Sequence, residues 1–196
     1  GLEKGFDRVS PFFIPMCISN MAAGETAIKY GLRGLCSCTV TACAGGTNAI
    51  GDGFRNIRDG YQDVMICGGC EACITPLAIG GFTSMRALCE SEDANRASIP
   101  FDLERSGFVL GEGSGILILE EYEHAKARNA KIYAEIVGYG NTDDAYHITA
   151  PHPEGKGASN AIRLALEEAG FHKETDSLYL NAHGTSTELN DKGETM

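Results

Sequence analysis

Two stretches of the chain show the spacing of an amphipathic helix. Ile50, Phe54 and Ile57 recur at i, i+4 and i+7, which places them on one face of a helix that Gly60 ends. The second stretch carries a similar apolar face and stops at Gly170. Its apolar positions are Ala158, Ile162, Ala165, Leu166 and Ala169. A short charged helix is predicted over Glu121 to Arg128, and another helix begins after Thr187.

Several short apolar runs between these helices predict buried strands. The first alternates small and β-branched residues and ends at a Gly-Gly pair. The predicted strands are Leu35 to Cys43, Asp63 to Gly68, Gly107 to Leu110, Gly115 to Leu119, Ile132 to Tyr139 and Leu178 to Ala182. Residues 74–106 form a long excursion with short helical pieces, and such excursions usually carry function.

The order β-α-β, excursion, β-β, β-α-β predicts an α/β layered architecture. The first strand-helix-strand unit is expected to close as a parallel pair with a right-handed crossover. No Pro/Ser linker and no repeat of short period interrupts the chain. We therefore predict one incomplete α/β domain.

Composition narrows the class of protein. The chain has 196 residues, of which 43% are hydrophobic and 22% charged, as in a soluble globular protein. A formal net charge of −11 without a basic cluster argues against nucleic-acid binding. Apolar runs such as Ile116 to Leu119 are far shorter than the roughly 20 residues that span a bilayer. No signal peptide is recognisable, so we expect the eight cysteines to be reduced thiols in the cytoplasm.

Cys43 lies where the first strand should end and the next helix begin, before Gly45 and Gly46. The positive end of a helix dipole favours a nucleophilic thiolate, and the glycines allow a sharp turn and close approach to a ligand. The backbone amides there are suited to hold an oxyanion. The alternative interpretation is one buried thiol among eight, acting as a small apolar side chain.

His183 follows the last predicted strand and precedes Gly184 and three hydroxyl residues, Thr185, Ser186 and Thr187. A neutral imidazole there can donate a hydrogen bond to a carbonyl or transfer a proton. A histidine in this position is otherwise a structural hydrogen-bonding group. Together with a cysteine at another strand end, it is a candidate for acyl-thioester chemistry.

Three patterns suggest metals or cofactors. Cys67, Cys70 and Cys73 have the spacing of some iron–sulfur ligands, but no fourth cysteine follows at suitable spacing. The glycines at 111, 113 and 115 precede a strand instead of a helix, so they offer no pyrophosphate site. His147 and His152 flank prolines without a third ligand. We predict neither a metal nor a cofactor.

Four ordered motifs resemble those of the elongating β-ketoacyl synthases. They are Thr41 to Gly46, Gly68 to Glu71, Phe101 to Gly113 and Asn181 to Thr187. The resemblance covers essentially the whole chain. It is closest to the type II elongation enzymes of bacterial fatty acid synthesis, given Ser10 to Pro15 and Glu120 to Ala127.

This resemblance implies a thiolase-like layered α-β-α fold, working as a homodimer on acyl carrier protein. Residues 1–125 would belong to the N-terminal half with the nucleophile, and residues 126–196 would begin the C-terminal half. Cys43 would take the acyl chain as a thioester. Malonyl carrier protein would then lose carbon dioxide and attack that thioester, giving the 3-oxoacyl product. His183 would be one of two histidines that stabilise the enolate.

The same resemblance implies roles for further residues. Thr185, Thr187 and Thr149 match residues that bind the pantetheine arm or lie at the cleft, and Asp144 and His147 match a polar pair near its entrance. Phe13 matches a residue that lines the partner subunit's acyl pocket, and Phe82 a wall of the subunit's own pocket. Arg86 and Arg8 match positions that meet the acidic carrier protein.

The family's second catalytic histidine, its lysine and its Gly-Phe-Gly-Gly loop have no counterpart in the chain. We therefore expect an internal piece of a synthase that is poorly stable or inactive as an isolated polypeptide. The alternatives are a polyketide ketosynthase, which shares every motif, and a non-catalytic chain-length-determining subunit, which would lack the nucleophile. An initiating synthase or thiolase is disfavoured by the run from His183 to Thr187.

Overall fold

The computed structural model describes residues 5–196, which divide into two compact units. The first unit comprises the described residues up to Cys70 together with Ser114–Ala130, and the second comprises Glu71–Gly113 and Lys131–Met196. Within the described part, no helix is long and apolar enough to cross a bilayer.

Helices carry most of the regular structure. In the first unit they are α1 (Phe13–Cys17), α2 (Met21–Tyr30), α3 (Gly45–Arg58) and α5 (Tyr122–Ala127). In the second unit they are α4 (Pro76–Ser84), α6 (Lys156–Glu168) and α7 (Glu188–Glu194). Two strands, β1 (Val64–Glu71) and β2 (Gly113–Glu120), pair with each other.

The predicted helices are confirmed, and their ends lie where the glycines stand. Helix α3 ends two residues before Gly60, whose φ of 78° lies in the left-handed region. Helix α6 likewise ends shortly before Gly170, with φ 64°. The helix expected after Thr187 is α7. Local periodicity and a glycine stop were sufficient to predict these helices, because the backbone hydrogen bonds of a helix form within the helix itself.

Helix α3 packs closely on the sheet through two small positions. A Cβ atom on Gly53 would collide with Sγ of Cys67 in β1 and lie 3.2 Å from Cδ1 of Leu119 in β2. Gly53 and Cys67 are both buried. Burial, and secondarily the charge of Asp52, raises the pKa of the Cys67 thiol, which keeps it an apolar packing group.

The two strands run antiparallel. At one end, Glu121 N–H donates to the Asp63 carbonyl at 2.9 Å, and further along, Gly68 lies beside Ile116. Gly68 has φ 154°, and a Cβ atom there would lie 2.9 Å from Cα of Ile116. Only glycine fits this close approach of the two backbones.

Four of the six predicted strands are wrong as strands. Residues 35–43, 107–110, 132–139 and 178–182 form no ladder, although their apolar pattern is that of a strand. A strand depends on a neighbour that supplies N–H and C=O groups, and within the described residues the ladder joins only β1 and β2. The expected parallel strand-helix-strand unit is therefore not formed, because its first strand is absent.

Particular contacts replace two of these ladders. Phe108 makes a single parallel bridge with Leu88, while the preceding Gly107 N–H donates to the Ser186 carbonyl at 3.0 Å. Tyr139 is buried, and its N–H donates to Glu168 in α6 at 2.7 Å. These segments therefore pack on loops and helices of their own unit.

Many apolar side chains remain exposed. In β2, three consecutive residues, Ile116, Leu117 and Ile118, are 53%, 48% and 70% exposed, although consecutive residues face opposite sides of a strand. Leu35, Val40, Leu178 and Leu180 in the unpaired segments are exposed as well. Within the described residues, α3 covers Cys67 on the sheet, but Ile116, Leu117 and Ile118 of β2 are not covered as a core strand requires.

Candidate functional site

Cys43 lies in a tight turn that leads directly into a helix. Residues Ala42–Ala44 form a 3₁₀ turn and α3 follows from Gly45. Ala42 has φ 48°, a left-handed conformation that is uncommon for a residue with a Cβ atom. Cys43 is exposed. The helix N-terminus beyond the thiol is thus as predicted, whereas the approach to it is a loop instead of a strand end.

Two side-chain hydrogen bonds fix this approach to α3. The Thr41 hydroxyl accepts from Nδ2 of Asn48 at 2.8 Å, and Asn48 is only 6% exposed. The Thr39 hydroxyl donates to the Asp52 carboxylate at 3.0 Å. The residues before Cys43 are therefore held to the first two turns of α3, which restricts where the thiol can lie.

The second glycine after Cys43 permits close contact with β1. A Cβ atom on Gly69 would lie 3.3 Å from Cα of Gly46. This approach places the N-terminal turn of α3 against the strand backbone. The contact favours glycine at position 69, whereas Gly45 and Gly46 lie within α3 and neither has a positive φ, so the turn before the helix is made at Ala42.

In the second unit, His183 begins the loop that precedes α7. Its ring is exposed, and its backbone N–H donates to Oε1 of Glu194 at 2.6 Å. Gly184 N–H donates to the other oxygen of the same carboxylate at 2.8 Å. Asn190 Nδ2 donates to that carboxylate at 2.9 Å. The carboxylate therefore fixes the backbone from which the imidazole projects.

The hydroxyl residues after His183 have two different environments. The Thr185 and Thr187 hydroxyls lie 2.8 Å apart, and both residues are partly exposed. Ser186 is 0% exposed, has φ 64°, and accepts from the Ile99 N–H at 3.1 Å. The two threonines are thus brought together, and Ser186 anchors the loop between them.

Arg105, Asp191 and Glu194 were missed by sequence reasoning. Asp191 in α7 is 1% exposed and accepts from the Phe101 N–H at 2.8 Å. Arg105 Nε lies 3.3 Å from the same carboxylate. The partners of Arg105 and Asp191 are mostly backbone groups 80 to 90 residues away, which no local pattern reveals. The available signal is the spacing of the two acids at i and i+3, directly after the His183 run.

The loop that carries Thr149 is organised by its own polar residues. Asp144 accepts from the N–H groups of His152 and Gly157, at 2.8 and 3.1 Å, so it caps the start of α6. Nδ1 of His147 accepts from the N–H of Thr149 at 3.2 Å and of Ala150 at 3.0 Å. Thr149 itself is exposed. The predicted polar pair is therefore used to shape this loop.

The remaining predicted residues are scattered on helices and turns. Phe82 in α4 packs edge-on against Phe108, with ring centroids 5.2 Å apart. Phe13 begins α1 and is 49% exposed. Arg8 lies in a 3₁₀ turn, and Arg86 follows α4 with φ 54°; both are exposed.

The cysteine triplet is not arranged for a metal ion. Cys67 is buried, Cys70 is exposed, and Cys73 donates to the Gly111 carbonyl at 3.5 Å. Among residues 5–196, no group of three His, Cys, Asp or Glu side chains is placed to hold a metal ion.

Family models match nearly the whole chain. The N-terminal domain of beta-ketoacyl synthase matches residues 2–125, and the C-terminal domain of beta-ketoacyl synthase matches residues 133–196. The 3-oxoacyl-[acyl-carrier-protein] synthase 2 of Synechocystis is 61% identical over 99% of this chain and 47% of its own. That of Staphylococcus aureus is 54% identical over 98% of this chain and 48% of its own. The chain thus spans about half the length of the curated relatives it matches.

Solved structures give the same assignment. A type II polyketide ketosynthase, in complex with its acyl-carrier protein and bound to the hexaketide, superposes with a TM-score of 0.91 and 42% identity over 96% of this chain and 47% of its own. A beta-ketoacyl synthase from Burkholderia phymatum superposes with a TM-score of 0.80 and 40% identity. The match covers 90% of this chain and 42% of that synthase. These neighbours confirm the thiolase-like α/β fold. The chain belongs to the beta-ketoacyl synthase family.

Proposed function

We propose that the protein carrying this chain is a 3-oxoacyl-[acyl-carrier-protein] synthase of fatty acid elongation. The observation that carries the proposal is Cys43, an exposed thiol in the turn before α3, in a chain 61% identical to such a synthase. A helix N-terminus offers amide N–H groups and positive partial charge to both a thiolate and a developing oxyanion.

The first half-reaction is acyl transfer to Cys43. The thiolate attacks the carbonyl carbon of an acyl thioester, a C–S bond forms, and the carrier thiol leaves after protonation. The exposed position of Cys43 gives an incoming thioester access. The bonds from Asn48 to Thr41 and from Thr39 to Asp52 keep the turn from rearranging during the attack.

The second half-reaction is decarboxylative condensation. A malonyl thioester loses carbon dioxide, and the enolate carbon attacks the acyl-Cys43 carbonyl, so a C–C bond forms while the C–S bond to Cys43 breaks. His183 is proposed to donate a hydrogen bond to the enolate oxygen. Its support is an exposed ring on a backbone fixed by Glu194.

The pantetheine arm is proposed to bind the threonine hydroxyls. Thr185 and Thr187 present two neighbouring hydroxyl groups 2.8 Å apart, and each can also hydrogen-bond an amide group of the pantetheine. Thr149 is exposed on a loop shaped by His147 and Asp144 and is proposed to add a further contact. Phe82 is proposed as a wall of the acyl pocket.

Acyl carrier protein and a second copy of the chain are the proposed partners. Exposed Arg86 and Arg8 would provide local positive charge on a chain with net charge −11, suited to an acidic carrier. Helix α1 exposes Phe13, Ile14 and Met16 at 49%, 63% and 73%, which supports burial of Phe13 against the partner copy in a homodimer. We also propose the reducing cytoplasm as its location.

A polyketide ketosynthase is the second candidate, favoured by the structural similarity to the polyketide enzyme at 42% identity. The two candidates differ in their product. A fatty acid synthase adds one two-carbon unit and then needs reduction of the ketone, whereas a polyketide enzyme extends an unreduced chain repeatedly.

The test uses the Synechocystis relative with its matching segment replaced by this chain, so that both catalytic halves are present. Incubation with decanoyl- and malonyl-carrier protein should give a single 3-oxododecanoyl product by mass spectrometry. His183→Asn should retain acylation of Cys43 but lose carbon dioxide release. Repeated extension would favour the polyketide candidate. A protein that neither accepts an acyl group nor condenses would instead match a non-catalytic subunit.

A further inference from the structure

Arg105 makes an unusual number of hydrogen bonds to backbone carbonyls. Its Nε donates to the carbonyl of Thr187 at 3.0 Å, one terminal nitrogen to Asp102 at 2.8 Å, and the other to Glu188 at 3.0 Å. The side chain is only 16% exposed. A planar guanidinium has the fixed fork of donors that three carbonyls in different directions require.

The same guanidinium offsets the charge of a buried acid. Asp191 is 1% exposed and lies 3.3 Å from Arg105 Nε, and its second oxygen accepts from Asn190 at 3.2 Å. An isolated carboxylate at this depth would be strongly unfavourable. Asp191 also accepts from the Phe101 N–H at 2.8 Å, so the pair joins residues 101–105 to the start of α7.

The loop between these contacts is strained and needs such support. Ser186 is completely buried with φ 64°, a conformation that costs free energy in a residue with a Cβ atom. It is held by the Ile99 N–H at 3.1 Å on its hydroxyl and the Gly107 N–H at 3.0 Å on its carbonyl. Arg105 fixes the next carbonyl along, that of Thr187.

We propose that Arg105 is a positioning residue for the substrate-binding loop Thr185 to Thr187. By holding the Thr187 and Glu188 carbonyls against residues 102–105, it keeps the two threonine hydroxyls 2.8 Å apart and facing the same ligand. Arg105 acts through the loop and does not itself contact the substrate. The inference rests on the proposed function for the identity of the ligand, a pantetheine thioester.

The experiment uses the Synechocystis chimera described above, in which both catalytic halves are present, and compares it with its Arg105→Gln, Arg105→Lys and, as a matched control, Arg163→Gln variants. Arg163 belongs to the same unit and pairs with Glu167 at 2.7 Å on the exposed surface of α6. Hydrogen exchange measured by mass spectrometry follows the amide N–H groups of Ile99 and Gly107, both of which donate hydrogen bonds to Ser186. Titration with S-acetyl-pantetheine gives the dissociation constant, and thermal melting reports the fold.

We expect exchange at Ile99 and Gly107 to accelerate about tenfold in both Arg105 variants, and pantetheine affinity to fall about tenfold. Arg105→Lys should melt close to wild type, because an ammonium still offsets Asp191 but cannot reach three carbonyls. If Arg105→Gln does not fold, the exchange rates and the pantetheine affinity of Arg105→Lys test the inference. Arg163→Gln should change neither quantity.

Unchanged exchange in Arg105→Lys would overturn the inference, as would faster exchange with unchanged affinity, which would make Arg105 merely structural. Failure of the chimera without these substitutions to bind S-acetyl-pantetheine would contradict the proposed function instead. In that case the exchange data still decide whether Arg105 holds the loop.

Discussion

Glu194 holds His183 by the backbone: its carboxylate accepts the His183 N–H at 2.6 Å, eleven residues earlier in the chain. Gly184 and Asn190 donate to the same group. We predict that Glu194→Ala lowers the free energy of unfolding by about 1 to 3 kcal/mol, since two loop amides lose a charged acceptor. Urea denaturation measures the loss.

Glu188→Ala is the matched control for this prediction, because Glu188 is an exposed acid at the other end of α7. Glu194→Gln should be intermediate, since its amide oxygen can accept one bond without the charge. Equal stability of the two alanine variants would show that the carboxylate does not support the His183 loop.

Gly53 tests the packing of α3 on the sheet. We predict that Gly53→Ala costs about 1 to 3 kcal/mol, because the added methyl group would collide with Sγ of Cys67. Gly80→Ala, in α4, places its methyl group in open space and should be neutral or stabilising by about 0.5 to 1 kcal/mol. In a double-mutant cycle, Cys67→Ala should relieve part of the Gly53→Ala loss, whereas additive losses would contradict this packing.

Glu120 makes the free energy of unfolding depend on pH. Its carboxylate accepts two bonds from Arg128, at 2.7 and 2.5 Å, and one from His124 at 2.6 Å. The Arg128 bonds first, then His124, lower the pKa of Glu120 from 4.5 to about 2. Because the folded pKa lies below the unfolded value, the stabilisation is complete above about pH 4.5 and is lost as pH falls toward 2.

Urea midpoints measured from pH 6 to pH 2.5 test this prediction. Glu120→Gln should flatten the acid limb of the wild-type curve, because the titrating group is gone. Glu123→Gln, which removes an exposed acid of the adjacent helix α5, should leave that limb in place. An acid limb that persists in Glu120→Gln would mean that other groups cause it.

Asp144 is predicted to stabilise α6 from outside the helix. Its carboxylate accepts the Gly157 N–H at 3.1 Å, while the N-cap residue Gly155 provides no side chain. Asp144→Ala should cost about 1 kcal/mol in the free energy of unfolding. Asp143→Ala, which removes only a local bond to the Ala145 N–H, should cost less. The opposite order would contradict this capping role.

Helices and the nucleophile turn could be predicted because their signals are local. The spacing of Ile50, Phe54 and Ile57 and the stop at Gly60 fixed α3, and so placed Cys43 before a helix. The strands at 35–43, 132–139 and 178–182 were wrong because a ladder depends on a partner that sequence pattern does not contain. Arg105 and Asp191 were missed for a related reason: their partners are backbone groups far along the chain.

Acylation of Cys43 tests the central claim most directly. The 196-residue chain is incubated with stoichiometric decanoyl thioester, its intact mass is measured, and the modified cysteine is located by peptide mapping. We predict one added decanoyl group, on Cys43 and not on Cys36 or Cys38, which are exposed as well, and none in Cys43→Ala. Acylation spread over several cysteines, or unchanged in Cys43→Ala, would contradict the assignment of Cys43 as the nucleophile.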